Sequence, residues 1–248
     1  MEKDELIKRV EELGERAEKY SSVTESVFLT PAESYLIEKH FKNRADVKLC
    51  LYGGHESCER KKAFFLPFYM EVEDLDFSEY IKAIKLSCPF GSPGHRDYMG
   101  ALLGMGIDRS RLGDIRLSGN DAYVFCMPTV LNHLLSIEKV GRYAVKAKEV
   151  SINELLLPEI KTEERSFTVM SSRMDAVLTG LFRISRTEAV KQIAAGNVSL
   201  NYEECLKNDK SISEGDIISL KGAGKAKICE NGGMSKKGRL FINAVIYK

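Results

Sequence analysis

The chain has 248 residues with 37 basic and 36 acidic side chains, which gives a net charge of +1 at pH 7. Since a domain usually has about 100–200 residues, this length fits two domains or three small ones. No apolar run approaches the ~20 residues of a membrane span, and the charged N-terminal residues are unlike a secretory signal, so we expect a cytoplasmic protein without membrane contact. Six cysteines without a Cys-x-x-Cys pair argue against a zinc site and against a disulfide framework.

Residues 1–76 predict a small N-terminal domain that mixes helix and strand. Apolar residues recur at alternating four- and three-residue spacing in 3–20, which is typical of an amphipathic helix. Thr30-Pro31 predicts the start of a second helix, with threonine as the N-cap and proline in the first turn. Apolar runs at 47–52 and 63–69 read as strands.

Residues 77–160 predict the element order β-α-β-β-α-β. This order is the split βαβ of ferredoxin-like domains, which is also the architecture of the RRM, the common single-stranded RNA module. Tyr123 and Phe125 alternate on the third strand, where they either stack on RNA bases or belong to a packed core. The aromatic-glycine signature of the RNA module is absent. The predicted strands are 80–87, 115–117, 122–126 and 142–150, and the predicted helices are 95–105 and 129–140.

The loop at residues 91–94 is rich in glycine and proline and precedes the first helix of this middle domain. His95, Arg96 and Asp97 then fall in the first helical turn. Because a helix N-terminus attracts anions, His95 and Arg96 are candidates for a second phosphate site. The alternative is that Asp97 only caps or favours the helix start.

Residues 166–248 predict two short helices followed by strands and an added hairpin. Ser172 and Ser185 are the predicted N-caps of the two helices, and Gly196 is the predicted left-handed residue after the second. A strand at 198–201, a turn at 214–216 and a strand at 217–220 follow. Residues 224–228 and 238–246 predict the hairpin, with a lysine-rich tip that either contacts RNA or protects an edge strand.

Charge is distributed unevenly along the chain. Residues 166–248 hold 13 Lys and Arg against 8 Asp and Glu, a net charge of +5, whereas residues 1–165 hold 24 against 28, a net charge of −4. A basic region on a mildly acidic body indicates a nucleic-acid-binding face in the C-terminal third.

The C-terminal order of elements resembles the S4-like RNA-binding domain. The resemblance implies that Asp175 braces a helix–helix contact, with Arg186 as the candidate partner, although an RNA contact is the alternative. Guanidinium groups suit phosphate oxygens, so we favour phosphate contacts for Arg183, Arg186 and Lys191 over ordinary solvated charges. The candidate RNA-binding residues are Arg173, Arg183, Ser185, Arg186, Thr187, Lys191, Asn197, Asn201, Lys207, Lys225 and Lys227.

Nearly the whole chain resembles the YlmH-like family of bacterial S4-domain proteins. The motifs that carry the resemblance are residues 95–109, Leu112-Gly-Asp-Ile115 and Gly238-Arg-Leu-Phe-Ile242. It implies a non-enzymatic RNA-binding protein on the large ribosomal subunit that assists rescue of stalled ribosomes, in a family also labelled as cell-division proteins. We therefore expect ribosomal RNA and the large subunit as partners, with peptidyl-tRNA as a further candidate. We expect no catalytic residue, cofactor, metal or small-molecule substrate, and a monomer when free.

An RNA-modifying enzyme is the alternative function. Pseudouridine synthases and some RNA methyltransferases use an S4-like domain to dock their substrate. Here that domain comes last, and about 165 residues precede it, which is short for a catalytic domain of that kind. Gly100, Gly104 and Gly106 do not form the Gly-x-Gly-x-x-Gly turn of a nucleotide-binding fold.

Overall fold

The chain divides into two compact units, Met1–Pro158 and Glu159–Lys248, named here the first unit and the second unit. Both units combine helices with antiparallel sheets, as the predicted α+β fold class requires. The division into three domains at the boundaries given above stays a prediction. The computed structural model describes residues 3–44, 46–158, 161–234 and 238–247, with main chain alone for 230–232.

Two helices and a three-stranded antiparallel sheet form the N-terminal part of the first unit. Thr30 caps the second helix as predicted, because its hydroxyl accepts the amide of Glu33 at 3.3 Å and the Glu33 carboxylate accepts the Thr30 amide at 2.7 Å. The elements are α1 (Lys3–Tyr20), β1 (Thr24–Glu25), α2 (Pro31–Phe41), β2 (Lys48–Tyr52) and β3 (Lys62–Leu66), and the strand order is β1-β3-β2.

The rest of the first unit follows the predicted order β-α-β-β-α-β, with one added hairpin. The second predicted helix is short, since the Ser136 hydroxyl donates to the carbonyl of His133 at 2.7 Å where the helix ends. The elements are β4 (Lys82–Ser87), α3 (His95–Gly104), β5 (Leu112–Ser118), β6 (Asp121–Cys126), α4 (Leu131–Leu135), the hairpin β7 (Lys139–Val140) and β8 (Tyr143–Ala144), and β9 (Lys146–Val150). The four-stranded sheet has the order β5-β6-β4-β9.

The two faces of this four-stranded sheet have different neighbours. Leu86 and Val124 belong to the core shared with α3 and α4. Phe125 lies on the opposite face, where it is fully buried in a cluster with Phe28 and Phe64 from the N-terminal part. Of the two alternatives for Phe125, the packed core is therefore confirmed, and this end of the face is closed to a ligand.

The second unit packs two helices on one face of a six-stranded antiparallel sheet. Its core joins helical residues such as Leu178 and Ile193 to strand residues such as Ile218 and Ala226. The elements are β10 (Thr162–Val169), α5 (Met174–Phe182), α6 (Arg186–Ala194), β11 (Val198–Leu200), β12 (Glu203–Glu204), β13 (Ile217–Leu220), β14 (Gly224–Met234) and β15 (Leu240–Tyr247). The strand order is β10-β15-β14-β13-β11-β12.

The start of α5 differs from the prediction. Ser172 does not cap this helix. Instead, the amide of Met174 donates to the carbonyl of Lys210 at 2.8 Å, and the amide of Asp175 donates to the carbonyl of Asn208 at 3.1 Å. A loop distant in sequence thus satisfies the first free amides of the helix, so no serine side chain is needed there.

The start and end of α6 follow the prediction. The Ser185 hydroxyl accepts the amide of Glu188 at 3.1 Å, which caps the helix. Gly196 follows the last turn with φ of +71°, in the left-handed region that glycine adopts without steric cost. Ala189 and Ile193 face the core between these two signals.

No helix in the described parts of the chain is long and apolar enough to cross a membrane. In the same ranges, no group of three or more His, Cys, Asp and Glu side chains is placed to hold a metal ion. The six cysteines are free thiols. The predicted basic tip of the last hairpin comprises Lys225, Lys227, Lys236, Lys237 and Arg239, of which Lys236 and Lys237 lie outside the described residues.

Candidate nucleic-acid interface

A buried carboxylate organises the junction between α5 and α6. The Asp175 side chain is 3% exposed and accepts hydrogen bonds from two guanidinium groups. Arg173 Nε lies 3.1 Å from Asp175 Oδ1, and Arg186 Nη2 lies 2.9 Å from Asp175 Oδ2. Asp175 therefore joins α5 to α6 through Arg186, which confirms its interpretation as a brace of the helix–helix contact.

The charge state of Asp175 follows from these contacts. Burial raises the pKa of its carboxyl group, but the hydrogen bonds and positive charges of Arg173 and Arg186 lower that pKa by more, so it lies below the ordinary value of 3.8. Asp175 is thus ionised at neutral pH. Asp175 compensates one of the two guanidinium charges, and Asp209 is a second carboxylate close to Arg173.

Arg183 adds a third guanidinium group at the C-terminal end of α5, in the connection to α6. It ends α5 in the left-handed conformation with φ of +54°, and its side chain is 77% exposed. Its guanidinium lies 3.8 Å from the Glu163 carboxylate. The side chain of Arg186 is 66% exposed despite its bonds to Asp175. We name Arg173, Arg183 and Arg186 the arginine cluster.

Other predicted residues of α6 take separate positions. Lys191 and Thr187 are exposed and, four residues apart, share one face of the helix. Lys191 lies about 140° around the helix from Arg186, because successive residues turn by about 100°. The Ser185 hydroxyl is exposed but already bonded as the helix cap. Arg186 and Lys191 therefore do not form one tight group.

Two predicted asparagines hold the protein's own backbone and side chains. Asn201 has φ of +50°, accepts the amide of Ile217 at 2.8 Å and donates to the Asp216 carboxylate at 2.7 Å. Asn197 donates to the side-chain oxygen of Gln192 at 2.8 Å. Asn201 thus links the end of β11 to the start of β13, and Asn197 binds a side chain of α6, so both amides have a local structural role.

The predicted strand lysines lie on the other side of the second unit's sheet. Lys225 and Lys227 alternate on β14 with Ala226, which faces the core beneath the helices. Lys225 also lies with its Nζ 5.0 Å from the ring centroid of Tyr247. The structure therefore separates this pair from the arginine cluster. Lys207 is exposed in the loop after β12.

At the predicted second phosphate site, the carboxylate of Asp97 lies at the same helix start as His95 and Arg96. His95 and Arg96 are exposed at the start of α3. The Asp97 carboxylate accepts the amide of Gly94 at 2.8 Å, which makes it the local partner of this helix start. An incoming phosphate would have to share the helix N-terminus with that negative charge. Phosphate binding at His95 and Arg96 stays a prediction.

Arg165 is a structural residue of this site that sequence reasoning missed. Its guanidinium donates to the carbonyl of Leu181 in the last turn of α5 and also pairs with Glu163. It therefore positions the helix end that carries Arg183. The only local signal is a basic residue in a polar strand, and that strand begins before the predicted start of the domain.

Two models of one protein family match this chain. Residues 2–69 match the family model described as "YlmH, N-terminal", and residues 73–154 match the one described as "Putative RNA-binding domain in YlmH". The "Ribosome-associated protein quality control protein P2" of Bacillus subtilis (strain 168) is 29% identical over 211 residues, which cover 85% of this chain and 82% of that protein.

A solved structure also has a similar fold. The "Cell division protein ylmH from Streptococcus pneumoniae" superposes with a TM-score of 0.54 at 19% sequence identity, covering 62% of this chain and 94% of that one. At this identity the likeness concerns the fold alone. The two family models and the Bacillus relative together show that the chain belongs to the YlmH family.

Proposed function

We propose that this protein is a non-enzymatic RNA-binding factor that associates with ribosomal RNA on the large ribosomal subunit and acts in rescue of stalled ribosomes. In this proposal the four-stranded sheet is an RRM-like domain and the second unit is an S4-like domain with an added hairpin. Peptidyl-tRNA is a further candidate partner, the protein acts as a monomer, and it acts in the cytoplasm, where ribosomes are.

The observation that carries the proposal is the arginine cluster. Arg173 and Arg186 present partly exposed guanidinium groups around the buried carboxylate of Asp175, and Arg183 presents a third, exposed guanidinium group at the C-terminal end of α5. Arg173 and Arg186 are held in place by that carboxylate, so less side-chain freedom is lost when they bind phosphate. The net charge of +5 for residues 166–248 adds long-range attraction for a polyanion. The names of the family model and the Bacillus relative support RNA and the ribosome as partners.

The first test reverses two exposed charges of the second unit. Arg183→Glu combined with Lys191→Glu leaves the hydrogen bonds of Asp175 intact, whereas Arg186→Glu would place a second carboxylate beside it. We expect affinity for large ribosomal subunits to fall about tenfold at about 150 mM salt, and the salt dependence to fall by about two phosphate contacts. Co-sedimentation in sucrose gradients at several salt concentrations measures both quantities.

Lys8→Glu combined with Arg16→Glu is the matched control for this test. Like the first double variant, it reverses the charge of one exposed lysine and one exposed arginine, here on helix α1. The control should co-sediment like the unaltered protein. Equal losses in both double variants, or no loss in either, would contradict the proposed site.

The alternative RNA-modifying enzyme makes a separate prediction. Deletion of an enzyme removes its modified nucleoside from ribosomal RNA or tRNA, while deletion of a binding factor leaves nucleosides unchanged. Mass spectrometry of nucleosides from deletion and parent strains distinguishes these outcomes. A nucleoside that is lost on deletion and restored by the unaltered gene would contradict the non-enzymatic proposal.

A further inference from the structure

The uncovered half of the first unit's sheet carries a row of cationic and aromatic residues. Next to the buried position of Phe125, the strand pairing places four residues side by side across the sheet. Arg116 on β5 pairs with Tyr123 on β6, Tyr123 pairs with Lys85 on β4, and Lys85 pairs with Lys148 on β9. Directly paired residues point to the same face. We name these four residues the sheet strip.

The sheet strip is accessible at its centre and at one end. Tyr123 and Lys85 are half-exposed and Lys148 is exposed, in contrast to the fully buried Phe125. Lys146, the next residue on the same face of β9, is exposed as well. N-terminal residues thus cover one end of the face and leave the strip open.

Contacts with neighbouring residues hold Arg116 and Lys85 in place around the ring of Tyr123. The Arg116 guanidinium donates to the carbonyl and the hydroxyl of Ser57, at 3.0 and 2.8 Å, so it supplies a fixed positive charge at one side. Lys85 Nζ lies 5.9 Å from the Tyr123 ring centroid and 2.7 Å from the Asp121 carboxylate. The face carries four basic side chains, Arg116, Lys85, Lys146 and Lys148, against two carboxylates, Asp121 beside Lys85 and Asp114 on the Arg116 side, so positive charge is in excess.

We propose that the sheet strip binds an unpaired RNA segment, with one base stacked on Tyr123 and the flanking phosphates at Lys85 and Lys148. The inference rests on the proposed function, since it takes RNA as the ligand. A cationic surface with a central aromatic ring matches the two parts of a nucleotide, its phosphate and its base. Unpaired RNA fits better than a duplex, because bases within a duplex are stacked on each other and unavailable to a side chain.

The first experiment tests stacking with the full chain and a fluorescein-labelled polyuridine of about ten nucleotides, a length that one such surface accommodates. Tyr123→Ala should weaken binding about tenfold, the usual effect of removing an aromatic platform. Tyr123→Phe keeps the ring and should bind like the unaltered protein. Fluorescence anisotropy gives the affinities. Equal affinity of the alanine and phenylalanine variants would overturn the inference.

A second pair of variants tests the phosphate contacts without altering the ring. Lys85→Gln removes a cation of the sheet strip and should lower the salt dependence of binding by about one phosphate contact. Lys82→Gln is the matched control on the same strand, because Lys82 points to the opposite face, has a side chain 32% exposed against 33% for Lys85, and also pairs with a carboxylate. Equal effects of the two variants would overturn the inference. An acidic peptide with the same net charge as the polyuridine should compete poorly for the sheet strip. If it displaced the labelled polyuridine as well as unlabelled polyuridine does, the inference would be overturned in favour of a protein ligand.

The outcomes also separate this inference from the proposed function. The variant with Arg183→Glu and Lys191→Glu should lose large subunits yet keep its affinity for the polyuridine. If Tyr123→Ala leaves polyuridine binding unchanged while the second-unit variant loses the subunits, only the sheet strip is wrong. If the second-unit variant keeps the subunits while Tyr123→Ala weakens polyuridine binding, the proposed ribosomal site is wrong and the strip stands.

Discussion

Gly54→Ala is expected to lower the free energy of unfolding of the first unit by about 3 kcal/mol, the combined effect of backbone strain and overpacking. Gly54 has φ of +97°, a conformation that other residues adopt at a cost. An added Cβ would lie 2.5 Å from Cδ1 of Phe125 and 2.9 Å from Cγ2 of Ile81. Both neighbours are fully buried, so neither can move away freely. Urea denaturation measures the loss.

Gly100→Ala is the matched control for Gly54→Ala, with an effect of opposite sign. Gly100 lies within α3, and nothing lies within 4 Å of an added Cβ there. Alanine should stabilise the first unit by about 0.5–1 kcal/mol, because it restricts the unfolded chain and favours helix. Hydrogen exchange of β6 amides should accelerate in Gly54→Ala and not in Gly100→Ala. A neutral Gly54→Ala would show that the cover over Phe125 is loosely packed.

Asp175→Asn is expected to destabilise the second unit by about 3 kcal/mol, the lower end for breaking a buried ion pair. The buried carboxylate accepts hydrogen bonds from Arg173 and Arg186, and a neutral amide can replace neither charge. Both arginines are partly exposed and can regain water, which limits the loss. Hydrogen exchange of α5 and α6 amides in the full chain reports the change in this unit.

The effect of Asp175→Asn should depend on pH with a definite sign. The folded-state pKa of Asp175 lies below its ordinary value of 3.8, so the ionised group favours the folded state. The difference in free energy of unfolding between the unaltered protein and Asp175→Asn should therefore have its full size above about pH 5. It should shrink as the pH falls through the folded-state pKa. Urea denaturation at a series of pH values checks this. A difference that grows toward acid pH would contradict the assignment of the ionised carboxylate as the brace.

Elements with strong local signals could be predicted from the sequence. The threonine cap at Thr30, the serine cap at Ser185 and the left-handed Gly196 are all present, because each depends on hydrogen bonds or φ preferences within a few residues. The β-α-β-β-α-β order was predictable for the same reason, since its periodicity and turn residues act locally.

The strand β10 and the start of α5 could not be predicted. The residues of β10 are mostly polar, and they form a strand by pairing with β15, nearly eighty residues later in the chain. The first amides of α5 bind carbonyls of Asn208 and Lys210 rather than a neighbouring serine. Partners this distant leave no signal in the local pattern of residue types.

The candidate site was predicted in composition but not in arrangement. The role of Asp175 followed from the resemblance, and the choice of Arg183 and Arg186 followed from the fit of guanidinium groups to phosphate. The exposure of the arginine side chains and the position of Lys191 on a different side of α6 from Arg186 could not be predicted. Lys225 and Lys227 also lie on the far face of the sheet from the arginine cluster. Residues that share a charge therefore do not necessarily share a surface.

The sequence by itself determined the helices with caps, the basic character of the C-terminal third and the family. Only the tertiary structure decided which face of the middle sheet is closed by Phe28 and Phe64, and which cations stand in one row around Tyr123. The physical reason is range: caps and turns are settled by neighbours in the chain, whereas burial and strand register are settled by residues that meet only after folding.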